Sequence, residues 1–166
     1  MNNIILFIIS IIVLIVFSLI DPLSHRKFRK IPNLIFHVIG ISLLLISLAF
    51  LIVSEFKFTF LIYPGIFLIV ASLFLILISY IQIKKHFLTA KGIVKTGLYK
   101  YIRHPMYSGI VLFFIGLILA VPSFYVFVYS LVAILLMIWQ AYEEEKFLFK
   151  KFPEYKKYKK ETGMFF

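Results

Sequence analysis

The chain has 166 residues, is 63% hydrophobic and carries a formal net charge of +11. Apolar runs long enough to cross a bilayer recur along it, which excludes an ordinary soluble domain and points to one polytopic membrane domain over residues 1–166. The cations fall between the apolar runs, where they read as topology signals and contacts for anionic headgroups rather than as a nucleic-acid surface; the absence of cysteine excludes disulfides, thiolate zinc sites and a cysteine nucleophile.

Ile4 to Ile20 is the first predicted span. It lacks a basic n-region and a small-residue cleavage site, so it reads as a retained helix, ended by Asp21-Pro22. Leu23 to Asn33 is a loop with Arg26, Lys27, Arg29 and Lys30, and Leu34 to Val53 is the second span. After the link Ser54 to Thr59, Phe60 to Ile83 is the third span, with an expected interruption at Pro64-Gly65. Lys84 to His104 reads as a central loop with six cations. Pro105 to Ala120 is a short fourth helix, Val121-Pro122-Ser123 a reversal, and Phe124 to about Tyr142 the fifth helix. A tail with seven lysines comes next, from Lys146 to Phe166.

The fold class expected is therefore all-α: a membrane bundle of five transmembrane helices whose last two form a hairpin. Residues 1–83 hold three spans, and residues 84–166 hold the loop, the hairpin and the basic tail. The distribution of Lys and Arg puts the 21–33 loop, the 84–104 loop and the tail in the cytoplasm, with the N-terminus outside. Each arm of the hairpin is roughly 25–30 Å long at 1.5 Å per residue. His104-Pro105 and Glu143-Glu144-Glu145 are then neighbours, although 40 residues separate His104 from Glu144.

The chain is organised around the stretch from Thr96 to Gly109. Pro105 biases His104 away from the helical region and suits the first position of a helix. Backbone N–H groups, tyrosine faces and a histidine thus converge at one helix start. Three consecutive glutamates at the far helix end are unfavourable by the helix dipole, which leaves a solvated start of the tail or a pocket acid as readings. The four histidines have no metal-ligand spacing, so no metal is expected. Tyr101 reads as an interfacial aromatic. Gly109 suits either a flat ligand against the backbone or close helix packing. The tail alternates aromatics with lysines, Phe152, Tyr155 and Tyr158 recurring every three residues, and resembles a segment lying on an anionic leaflet.

Thr96 to Gly109 resembles the TG-x-Y-x-x-x-RHP-x-Y-x-G signature of the membrane methyltransferases related to isoprenylcysteine carboxyl methyltransferase and the phospholipid N-methyltransferases. Glu144-Glu145, then Leu148, Phe152, Tyr155 and Tyr158, matches the ending of that superfamily. The resemblance implies S-adenosylmethionine as methyl donor, held by Lys91, Gly92, Ile93, Val94, Tyr99, His104, Pro105, Met106, Tyr107 and Glu144 in a cytoplasm-facing pocket. It implies a lipid or prenylated substrate entering from the bilayer. The carboxyl methyltransferases place an arginine facing the substrate carboxylate where this chain has Gln140, and Arg103 stands as its replacement. The catalytic candidates are Glu144, Glu145, His104 and Arg103.

A protein-S-isoprenylcysteine carboxyl O-methyltransferase is the reading the resemblance implies most directly, with a phosphatidylethanolamine N-methyltransferase as the alternative. An NADPH-dependent protein like the sterol reductases is a more distant one: these share an HP-x-Y-x-G turn, but many have Glu directly after its glycine where this chain has Ile110. A non-enzymatic scaffold or carrier predicts tolerance of His104→Ala and Glu144→Ala.

Overall fold

The computed structural model describes residues 4–5, 7–12, 14–16, 58–89 and 92–165. The expected second span, the 23–33 loop and Lys91 lie outside them. Among the described residues there are helices and no strand: α1 (Phe7–Val16), α2 (Ile62–Thr89), α3 (Pro105–Ala120), α4 (Phe124–Lys151) and α5 (Tyr155–Glu161). A 3₁₀ turn, Gly97–Lys100, lies between α2 and α3. Among the described residues, two helices are long and apolar enough to cross a membrane, over Ile62–His86 and Phe124–Lys151.

Helix α2 corrects two expectations. Pro64-Gly65 does not interrupt it, because Pro64 sits in the first turn, where backbone N–H groups have no intrahelical acceptor to lose. Nor does it stop at Ile83. Gln82, Lys84 and Lys85 are good helix formers, so Lys84 to Thr89 extends the helix instead of opening the central loop.

Helix α3 runs antiparallel to α2 at a separation set by small residues. A Cβ at Gly65 would lie 2.5 Å from the backbone nitrogen of Ala120, and one at Gly116 would lie 2.8 Å from the carbonyl oxygen of Gly65. Nearer the other end, a Cβ at Gly109 would meet Ile76 Cγ1 at 2.6 Å. Of the two readings open for Gly109, helix packing holds: α2, not a flat ligand, lies against its backbone. The opposite face of α2 exposes Phe67, Leu73, Phe74 and Leu77, as a lipid-facing helix does.

Val121 to Ser123 reverses the chain. Ser123 is the N-cap of α4, its hydroxyl accepting from the Tyr125 N–H at 3.2 Å. Leu117, Ala120, Val121, Val126, Tyr129 and Ala133 make a buried core at this end, joined by Leu14 of α1. The ring of Phe7 packs on Tyr125 with centroids 5.3 Å apart.

Helix α4 does not end near Tyr142. It continues without a break through Glu143, Glu144 and Glu145 to Lys151. Glu, Lys, Leu and Phe carry it on, and the first breaker is Pro153, which biases Phe152 to the extended conformation found there. The glutamates are interior to the helix, and its last turn holds Lys150 and Lys151, as the dipole favours. In the tail, Tyr155 and Tyr158 are buried against the segment before α3, so its aromatic face packs on protein.

Candidate functional site

The site is built where the start of α3, the last third of α4 and the tail meet. It begins with the turn Gly97–Lys100. Gly97 has φ +62°, and its missing Cβ makes room for the Gln82 side chain of α2, 2.4 Å from where that atom would be. The Leu98 N–H donates to Gln82 Oε1 at 3.0 Å, so α2 fixes the turn. Tyr99 is thereby buried, and its carbonyl accepts from the Tyr158 hydroxyl at 2.6 Å. Burial, then the Glu144 and Tyr158 side chains, holds the Tyr99 phenol protonated far above the ordinary range.

Next come Arg103 and His104. Arg103 is folded inward. Its Nε donates to Glu145 Oε1 at 2.6 Å, and Nη1 donates to the carbonyl oxygens of Lys159, at 3.1 Å, and Thr162. Lys159 Nζ reaches the second oxygen of Glu145 at 2.6 Å. Glu145 therefore ties the turn, α4 and the tail together. The side chains of Arg103 and Glu145 are only 7% and 4% exposed, so their attraction is weakly screened.

His104 is the N-cap of α3, but its ring makes no capping bond. Its N–H donates to the Met164 carbonyl at 3.1 Å, and the Ser108 hydroxyl donates to the Phe165 carbonyl. The tail thus covers the first turn of α3. The His104 ring faces both acids, with Nδ1 3.8 Å from Glu144 Oε2 and Nε2 3.5 Å from Glu145 Oε1. Tyr107 stands edge-on to the ring at 5.5 Å, and Phe165 lies 6.2 Å away. Burial pushes the His104 pKa down to about 4; Glu145 opposes that shift and Arg103 assists it. His104 is therefore neutral at neutral pH. Burial likewise pushes Tyr158 up to about 12, and Tyr155 higher still.

The geometry brings Tyr99, Arg103, His104, Tyr107, Glu144 and Glu145 to one corner. Pro105 is buried in the first turn of α3, Met106 is half-buried there, and Gln140 is buried one helical turn before Glu144. Gly92, Ile93 and Val94 lead into the turn. Val94 is buried, and Gly92 has φ +116° beside Glu154 at the start of α5. The two acids differ sharply: Glu144 is 45% exposed, whereas Glu145 is 4% exposed and saturated by two cations. Glu145 and two carbonyls take the Nε and Nη1 hydrogens of Arg103.

Sequence reasoning passed over Gln82, Lys159 and the closing residues Thr162 to Phe165. An amide stranded late in an apolar run was the available signal for Gln82. Nothing comparable marks Lys159 among its neighbouring lysines.

The neutral His104 ring, whose buried Nε2 has no hydrogen-bond partner, the half-exposed Glu144 carboxylate and the Tyr107 face match a ligand with hydroxyl groups and a cationic centre. A family model described as phospholipid methyltransferase matches residues 35–155, well over half of the chain. No curated protein and no solved structure matches.

Proposed function

The chain belongs to the phospholipid methyltransferase family, and from that premise we propose that it transfers a methyl group from S-adenosylmethionine to the amine headgroup of a membrane amphiphile. The observation that carries the choice of acceptor is the engagement of the corner's cations. Arg103 and Lys159 are both held by Glu145, and residue 140 is a neutral glutamine, so the two cations nearest His104 already have a carboxylate partner and the position one turn before Glu144 offers no bidentate cation to a substrate carboxylate. Glu144 presents a half-exposed negative charge at the corner, which suits an ammonium or sulfonium partner.

S-Adenosylmethionine supplies, when bound, a methyl group activated by a positively charged sulfur. The residues that would hold it are Tyr99, His104, Met106, Tyr107 and Glu144, with Gly92 to Val94 shaping the approach. An amine headgroup must lose a proton before its nitrogen can attack, and Glu144 is the best placed base: its carboxylate is half-exposed and can meet the headgroup, whereas Glu145 is buried between Arg103 and Lys159. Neutral His104, 3.8 Å from Glu144, keeps the negative charge of that carboxylate undiminished. The tail over α3 and the aromatic rings limit water at the corner, and methyl transfer needs alignment and dryness above all. The basic ends of α2 and α4 support a cytoplasmic corner, by the distribution of Lys and Arg.

Incubation of the purified protein with methyl-labelled S-adenosylmethionine, membrane lipids and prenylcysteine analogues tests this reading. Label appears in a base-stable N-methyl headgroup. Label in a base-labile methyl ester instead assigns a carboxylate acceptor, and no incorporation rejects both.

A further inference from the structure

Helix α5 has two faces with different tasks. Tyr155 and Tyr158 point inward, and the Tyr158 hydroxyl is bonded to Tyr99. Lys156, Lys157 and Lys160 are exposed, and α4 delivers exposed Lys150 and Lys151 just before the Pro153 turn. Lys157 has a loose ion pair with Glu161 at 3.9 Å, both partners well exposed. Among the described residues, Lys156 and Lys160 have no carboxylate within ion-pair distance. Lys159 stands apart, because it points to the buried Glu145.

This basic face lies at a definite level. Helix α5 is bonded to Tyr99 and Arg103, which immediately precede the first turn of α3. The exposed aromatics Phe147 and Phe149 of α4 are flanked by exposed Lys146 and Lys150, the mixture of aromatics and cations found at a membrane–water interface. The exposed lysines of α5 are thus at the edge of the apolar belt formed by α2 and α4. A polar helix with its aromatics turned inward cannot insert into lipid, so its attraction to a membrane is electrostatic and salt-sensitive.

We propose that the face of α5 bearing Lys156, Lys157 and Lys160, continued by Lys150 and Lys151, docks on anionic lipid headgroups of the leaflet that borders the site. The occupant is the membrane itself, chosen by charge complementarity and by level. Docking seats the segment that runs from α5 to His104, because Thr162, Gly163, Met164 and Phe165 are bonded to Arg103, His104 and Ser108.

Lysine footprinting of the full chain in nanodiscs tests the docking without methyl donor or acceptor, so its failure is separable from failure of the methyltransferase reading. Amine modification at Lys156, Lys157 and Lys160 should be slowed several-fold in discs containing about one third phosphatidylglycerol, relative to phosphatidylcholine alone. The protection should vanish in 1 M salt, where the Debye length is about 3 Å. Native mass spectrometry of the same discs should show anionic lipid retained by the wild type and lost in the K156Q/K157Q/K160Q variant, with helicity unchanged. Equal modification rates in both lipids, or salt-insensitive protection, overturns the proposal, as does equal lipid retention by the folded variant.

Discussion

Removing the Glu145 carboxylate should unfold the corner rather than merely slow it. In Glu145→Ala, Arg103 keeps its 7% exposure and its bonds to the Lys159 and Thr162 carbonyls, yet loses its anionic partner, 2.6 Å away. Lys159 loses the same partner, but at 48% exposure water compensates it. Breaking a buried pair by deleting one partner costs about 3–5 kcal/mol, because a desolvated charge is left behind. For a chain of this size that is a fall in Tm of roughly 6–20 °C. Glu143→Ala is the internal control, since the Glu143–Lys146 pair lies at the surface, with the lysine 67% exposed, and should cost under about 1 kcal/mol. Thermal unfolding of the wild type and both variants in one detergent reads the difference. Arg103→Met with Glu145→Leu should recover part of the loss, because that double variant removes both members of the buried pair. Equal stability of Glu145→Ala and Glu143→Ala would refute the clamp.

The geometry carries three further outcomes. His104 titrates near 4 when folded and near 6.5 when unfolded, so the unfolded chain binds more protons between those values and stability falls as pH drops from about 6.5 to about 4, by about 3 kcal/mol; denaturant unfolding across that window should lose this component in His104→Gln, and identical pH slopes would count against a buried neutral ring. Gly65→Ala should destabilise more than Gly109→Ala, because the new methyl meets the backbone of Gly116 and Ala120 rather than the movable Ile76 side chain; equal melting temperatures would contradict that packing. Gln82→Ala should speed hydrogen exchange at the Leu98 amide and weaken S-adenosylmethionine binding, while Gln82→Glu, which keeps the acceptor oxygen, should restore slow exchange; fast exchange in the wild type would remove Gln82 from the site.

Much of this corner is legible in the sequence wherever a residue has one physical option. Pro105 starts a helix because its ring fixes φ and its missing N–H is harmless only there. Pro122-Ser123 reverses the chain because Ser123 caps the helix that begins at Phe124. The rest turns on competitions that sequence does not decide. Glu143 to Glu145 look like a helix end by charge, yet their high helix propensity and the distance to Pro153 carry α4 two turns further. Tyr155 and Tyr158 share one face whether that face meets lipid or protein, and only the position of Tyr99 selects protein. Which glutamate is buried depends on the register of α4, whose buried residues Ala133, Gln140 and Ala141 lead on to Glu145. Gly109 fits a ligand or a helix equally well until α2 is placed beside it.

The most direct measurement is calorimetric binding of S-adenosylmethionine to the purified chain and to folded His104→Ala and Glu144→Ala variants. One shared corner predicts binding by the wild type and a loss of tenfold or more in each variant, with Glu143→Ala unaffected. Absence of binding by the wild type, or wild-type affinity in both variants, contradicts a methyl-donor site between the start of α3 and the acidic turn of α4.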